Sequence, residues 1–161
     1  MTEVINLFSP LPFLSRWLIG VLLTILSGAI IYGVKIYLSA SKEFLNTIYT
    51  ELEGLYPTPT KWPLENGQIE FILKEKFPRL EAAVHKFRGH LPTCMVKRFN
   101  KAWTSYYNEH GRSDWQCYFH YMPFSGTSIE NGKETTYDNT KTYKENFKHN
   151  VDNLLKYAKQ T

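Results

Sequence analysis

The sequence predicts a mainly α chain: one N-terminal transmembrane helix followed by a small helical domain with an irregular or short β segment. Three observations lead there. The run from Trp17 to Val34 carries no charge and is bracketed by Arg16 and Lys35. After it, apolar residues recur at three- and four-residue spacings, the period of an amphipathic helix. Turn-forming residues collect in one late stretch, Ser125 to Asp138, rich in Gly, Asn, Thr and Ser. The chain is 43% hydrophobic over 161 residues, yet its mean hydropathy is −0.36, because the greasy residues concentrate before Leu38. The reading divides the chain into a tail and transmembrane helix (1–38), a juxtamembrane helix (39–55), a Pro-rich linker (56–64) and a soluble helical domain (65–161).

The apolar run comes first. Eighteen residues at a helical rise of about 1.5 Å span about 27 Å, close to the hydrocarbon core of a bilayer. A cleaved signal peptide would want a basic leader and small residues at the cut. Only Glu3 and Arg16 precede the run, and Leu38-Ser-Ala-Ser41 puts Leu or Tyr where a small residue belongs. An anchor is the better reading. Lys35 and Lys42 follow the run against Arg16 alone before it, which directs the C-terminal domain to the cytoplasm. Trp17, Tyr32 and Tyr37 suit the two interfacial belts. Gly20, Thr24 and Gly28, each four residues apart, form a stripe of small residues on which two helices can pack closely, so a homo-oligomer is expected.

The helix is expected to continue to about residue 53, with a polar break at Ser39-Ala-Ser41. Phe44, Ile48 and Leu52 recur every fourth residue, Gly54 is placed as a C-terminal cap, and Pro57 cannot prolong a helix. Tyr56 to Pro63 holds three prolines and reads as an extended strap, with Trp62 tucked into the core. Asn66–Phe77 reads as a short helix and Pro78 as the start of another, striped with Leu80, Val84, Phe87 and Leu91. Gly89 and Pro92 end that one, and Thr93 is expected to cap a helix burying Val96, Phe99, Trp103 and Tyr106 or Tyr107 up to Gly111. So short a turn predicts an antiparallel helical hairpin. Trp115–Pro123 is aromatic on both faces and fits a buried strand or a short helix. Asn131-Gly132 suits a tight hairpin turn. Asn139 or Thr140 opens a last helix with Tyr143, Phe147, Val151, Leu154, Leu155 and Ala158 on one face.

Charge and chemistry exclude several classes. Beyond Leu38 there are 17 Lys and Arg against 14 Asp and Glu, far from the basic footprint of a dedicated nucleic-acid binder. Cys94 and Cys117 are too few for a disulfide scaffold and read as two thiols in a reducing compartment. His85, His90, Cys94, His110, Cys117 and His120 are metal-ligating types, but only Cys117-x-x-His120 has ligand spacing, and a structural zinc site wants two tight pairs. No metal or cofactor is expected. The same Cys and His residues are the only basis for a small membrane-tethered enzyme; Glu51 and Glu53 fall on opposite sides of a helix, and the Gly126–Gly132 region lacks a phosphate loop's setting. No catalytic residue is assigned. Lys86, Arg88, Lys97, Arg98 and Lys101 would gather around the turn of the helical hairpin, where they could hold anionic lipid, an acidic partner or nucleic acid.

Glu51-Leu-Glu-Gly-Leu-Tyr-Pro57, Phe77-Pro-Arg-Leu80 with Ala83-Val-His-Lys-Phe-Arg88, Tyr137 through Phe147, and Asn153-Leu-Leu-Lys-Tyr157 resemble stretches of bacterial membrane-anchored proteins with no assigned activity. The resemblance covers most of the part beyond the anchor and implies a bacterial cell-membrane location. It implies no activity and no functional residue. The functional expectation is a single-pass inner-membrane interaction or scaffolding module whose partners are the lipid bilayer, a second copy and an unidentified protein. The alternatives are the tethered Cys/His enzyme and a lipid- or nucleic-acid-binding basic hairpin.

Overall fold

The computed structural model describes residues 13–63, 65, 67–108, 117–130 and 133–159. It is mainly helical, with four α-helices and a short two-stranded sheet among those residues. Two compact units divide the chain, Met1–Leu38 and Ser39–Thr161.

Helix α1 runs from Phe13 to Glu51. From Trp17 to Ile36 its side chains are exposed all round, apolar ones included: Trp17 is 66% exposed, Leu22 59% and Ile30 66%. A helix hydrophobic on every face wants an apolar surrounding on every face. The expected polar break at Ser39-Ala40-Ser41 does not occur. The helix is continuous there, and Ala40 and Ser41 are buried. Both are small, and neither breaks a helix as Gly or Pro would.

In the second unit the periodicity does what the spacing demands. Phe44, Ile48 and Leu52 are buried while Lys42, Asn46, Tyr49 and Thr50 are exposed. Gly54 adopts the left-handed conformation (φ +82°) and its carbonyl accepts the Lys61 amide at 2.8 Å, turning the chain into the strap. Trp62 packs edge-on against Tyr143 and Phe147, at ring distances of 5.8 and 5.4 Å.

One helix, α2 (Gln68–Arg88), replaces the two expected on either side of Pro78. Proline's φ suits a helix, and its cost is one lost hydrogen bond plus a clash, about 3 kcal/mol. The buried stripe Ile69, Leu73, Leu80, Val84, Phe87 runs straight across it, and that packing offsets the cost. Helix α3 (Thr93–Tyr107) begins at Thr93 itself, after Pro92, with no side-chain cap. It buries Phe99, Trp103 and Tyr106. The hairpin is antiparallel: Phe77 stacks on Trp103 at 5.4 Å, and Phe87 meets Phe99 edge-on at 5.6 Å.

The aromatic segment resolves into a 3-10 turn, Phe119–Tyr121, preceded by Tyr118 in the left-handed region (φ 69°). Strands β1 (Ser125–Glu130) and β2 (Lys133–Asp138) pair antiparallel, from Ser125↔Asp138 to Glu130↔Lys133. The register leaves two residues for the connection, Asn131 and Gly132, which lie outside the described residues, as do His110, Gly111, Trp115 and Gln116. Helix α4 (Tyr143–Leu155) buries Phe147, Asn150, Val151, Leu154 and Leu155. The expected opening at Asn139 or Thr140 is displaced to Thr142, and Asn139 is occupied elsewhere. Its side chain accepts the Phe124 amide at 2.7 Å and donates to the His120 carbonyl at 3.2 Å, and its own carbonyl takes the amides of Thr142 and Tyr143.

Candidate functional site

The ion pairs and ring contacts fix the direction of each helix within the Ser39–Thr161 unit. Glu51 pairs with Arg79 at 3.2 Å and Lys76 at 4.0 Å, whereas Glu43 pairs with Lys86. Phe44 stacks on Phe87 at 4.7 Å. Residues 39–51 of α1 and helix α2 are therefore antiparallel. Helix α3 returns, and α4 is antiparallel to it, because Tyr106 meets Phe147 and Phe99 meets Tyr157. The unit thus has two ends. One carries Ser39, the close of α2, the α2–α3 turn and the start of α3; the other carries Tyr56, the start of α2 and the start of α4.

Lys86, Arg88, Lys97 and Arg98 of the sequence-predicted basic residues lie toward the Ser39 end, whereas Lys101 lies at the middle of α3. Lys86 is the exception in chemistry, since the Glu43 carboxylate neutralises it. Arg88 is half-buried; Lys97, Arg98 and Lys101 are exposed on α3, opposite the buried Phe99 and Trp103. Between Ala82 and Asn108 the chain contains no Asp or Glu. His90 and Cys94 are exposed at the same turn, beside Met95 at 41% exposure. The small-residue stripe of α1 is open: a Cβ added at Gly20 or Gly28 would meet nothing within 4 Å, and the Thr24 hydroxyl donates to the Gly20 carbonyl at 2.9 Å.

Two polar groupings, one half-exposed and one buried, were not read from the sequence. At the Tyr56 end, Asp152 accepts hydrogen bonds from Tyr56 Oη (2.6 Å), Lys148 Nζ (2.6 Å) and Lys159 Nζ (3.1 Å). Partial burial pushes this carboxyl up, but its three donors outweigh that and hold it at about 2, below the usual 3.8. The Tyr56 phenol moves the other way, raised by burial and then by its hydrogen bond to Asp152 and that group's charge. Under the 3-10 turn, Tyr121 Oη donates to the Tyr106 carbonyl (2.7 Å) and accepts from Asn150 Nδ2 (3.1 Å), which also reaches the Ser105 carbonyl (3.3 Å). Burial raises the Tyr106 and Tyr118 phenols well above their ordinary range, so both stay neutral. Asp152 had a findable signal in Lys148, its partner four residues earlier, though Lys159, seven residues later, had none; the tyrosine cluster had only its aromatic density.

Among the described residues no group of three or more His, Cys, Asp or Glu converges as a metal set. No disulfide joins Cys94, which is exposed, to Cys117, which is half-buried. A notch of about 20 Å³ lies between Ala40, Glu43, Phe44, Thr47, Ala83, Lys86 and Phe87. It has room for about one water, against about 300–1,000 Å³ for a small-molecule pocket.

These features define a mainly helical chain with one helix near its N-terminus long and apolar enough to cross a membrane: its best 18-residue window has mean hydropathy 2.1 and none of it is buried. No family model, no curated protein and no solved structure matches the chain.

Proposed function

We propose that the chain is a single-pass membrane protein whose helical domain serves as an interaction or scaffolding module on the cytoplasmic side of a bacterial inner membrane. The observation that carries this reading is the exposure of α1 between Trp17 and Ile36, where every large apolar side chain is at least a third open. A soluble chain rarely leaves so wide an apolar surface uncovered, whereas a bilayer covers it on all sides. Trp17 and Tyr32, 66% and 68% exposed, stand where interfacial aromatics belong. The excess of Lys35 and Lys42 over Arg16 alone supports a domain on the inner side.

The interaction role is supported by surface aromatics that the core does not use: Phe71 at 73% exposure, and the pair Phe124 and Tyr137, 55% and 40% exposed with rings 6.1 Å apart. A second copy is the simplest partner, seated along Gly20, Thr24 and Gly28, where the bonded Thr24 hydroxyl carries no unmet donor into the apolar layer.

The test is a native mass spectrum of the intact chain released from lipid nanodiscs. Dimers or higher oligomers that dissociate on Gly20→Leu with Gly28→Leu support the self-associating module. Release of the chain into the soluble fraction by alkaline carbonate would defeat the anchor. A stoichiometric metal or small-molecule adduct would defeat the scaffolding role and direct mutation to Cys94 and Cys117. Orientation is read from Cys94, an exposed thiol: a membrane-impermeant maleimide should modify it only after spheroplasts are permeabilised.

A further inference from the structure

We infer that the Ser39 end of the helical domain is a docking face for anionic phospholipid headgroups of the bilayer that holds α1; this rests on the anchor reading above. The directions of the helices carry it. The salt bridge Glu43–Lys86 and the stack Phe44–Phe87 bring the close of α2 beside the first turns of the domain's α1 segment. The α2–α3 turn therefore lies at the same end as Ser39, which follows Leu38 directly in the chain. That end is where the cations are. Arg88, Lys97 and Arg98 flank the turn, with Lys101 further along α3, in a stretch from Ala82 to Asn108 that holds no carboxylate, and Lys42 is exposed one turn into the α1 segment. Glu43, next to Lys42 in the chain, is taken up by Lys86.

The opposite end has a different charge pattern. Glu51, Glu70 and Asp152 each pair with lysine or arginine there, and Glu53, Glu65 and Glu145 stand among Lys61, Lys141 and Lys144, so no acid-free run of cations forms. At the Ser39 end the cations outnumber the carboxylates that could satisfy them, and each unsatisfied Lys or Arg near an anionic leaflet is attracted to it. Helix dipoles do not decide the matter, since α2 ends where α3 begins and their terminal charges oppose. The turn also presents Met95, 41% exposed, and the small exposed residues Gly89, Pro92 and Thr93. An apolar side chain flanked by cations suits the boundary between headgroup and acyl chain. Nucleic acid would demand a broader basic surface than these few residues supply.

Cys94 reports on this face because it is exposed within it. The full chain is placed in nanodiscs of phosphatidylcholine alone or with phosphatidylglycerol, and alkylation of Cys94 is followed by peptide mass spectrometry, which separates it from Cys117. Docking should slow Cys94 modification about tenfold in the anionic discs. The slowing should vanish near 1 M salt, where the Debye length falls to about 3 Å. It should also vanish in Lys97→Gln with Arg98→Gln, two exposed positions whose replacement leaves the thermal melt unchanged. Equal rates in the two lipids would overturn the inference, as would equal slowing in both, which would make the contact independent of charge. Slowing in neutral discs on adding RNA, with none from anionic lipid, would overturn it in favour of nucleic acid. Failure of the chain to enter discs of either kind would instead bring down the anchor reading itself.

Discussion

Helix α1 is one helix written in two codes. From Trp17 to Ile36 the apolar residues point everywhere and all are exposed, with Leu23 at 61% and Ile25 at 63%. From Ala40 to Leu52 they point one way: Phe44, Ile48 and Leu52 are at most 2% exposed, while Lys42 and Glu43 face water. The backbone is the same in both halves, so the difference lies in the surrounding each half requires. The second half supplies its own: Phe87 and Phe99 pack on Phe44, and Tyr157 backs Phe99. The first half has none within the described residues. An amphipathic stripe announces a protein partner, and an unbroken apolar surface announces a lipid one.

The sharpest way to break that contrast is to truncate the centre of the second half. Phe44→Ala removes a ring stacked on Phe87 at 4.7 Å and edge-on to Phe99 at 5.9 Å. The expected loss is about 3–5 kcal/mol of domain stability, read as a lower midpoint in urea by tryptophan fluorescence. Membrane integration should not change. The complementary change is Leu26→Arg, at 52% exposure in the first half. It should cost about 2.5–3.5 kcal/mol of membrane insertion, seen as loss to the soluble fraction, and leave the urea midpoint of the domain unaltered. If Leu26→Arg unfolded the domain, the two codes would not be separate.

The contrast was legible in the sequence because both codes are local. An uncharged run and a four-residue stripe each show themselves within twenty residues. What escaped was set by distant partners. Pro78 read as a helix start, since a proline inside a helix costs about 3 kcal/mol in isolation. The burial of Leu73 and Leu80 on either side, and the contacts of Phe77 with Trp103 and Tyr107 of α3, keep α2 whole through it. Asn139 read as a helix cap but spends its side chain on the backbone of Phe124 and His120, fifteen and nineteen residues away. Of the candidate site, the five basic residues were visible as a cluster. Their end of the domain was not, and neither was the loss of Lys86 to Glu43, 43 residues earlier.

The end of the second half offers a smaller test. Gly54 sits at φ +82°, and a Cβ there would stand 2.9 Å from the Lys61 Cβ. Gly54→Ala should cost about 1–2 kcal/mol, from the left-handed backbone alone. Relief of the crowding by Lys61→Gly in the same chain should recover little of it. Full recovery would show that contact, not backbone, makes the glycine necessary.

The smallest expected effect concerns the lock just beyond that turn. Tyr56 donates to Asp152 at 2.6 Å, tying the strap to α4, and Lys148 and Lys159 hold the same carboxylate. Asp152 sits at about 2 in the folded chain against 3.8 ordinarily. A carboxyl lowered on folding contributes stability that is complete above its unfolded value and lost as pH falls through the interval between the two. The window is therefore from about pH 4 down to about pH 2. The group is 35% exposed and screened by water, so the contribution is about 1 kcal/mol rather than the full shift. Asp152→Asn should lower stability by that amount at pH 6 and flatten the decline between pH 4 and pH 2. Asp138 keeps some slope in the variant, because the Thr140 hydroxyl and amide hold its carboxyl below the usual range as well. Tyr56→Phe should show half the loss with the slope largely intact, since both lysines remain. An unchanged acid limb in Asp152→Asn would mean that the lysines bind this carboxylate no more tightly folded than unfolded. The strap would then be held by Trp62 against Tyr143 and Phe147, and by packing alone.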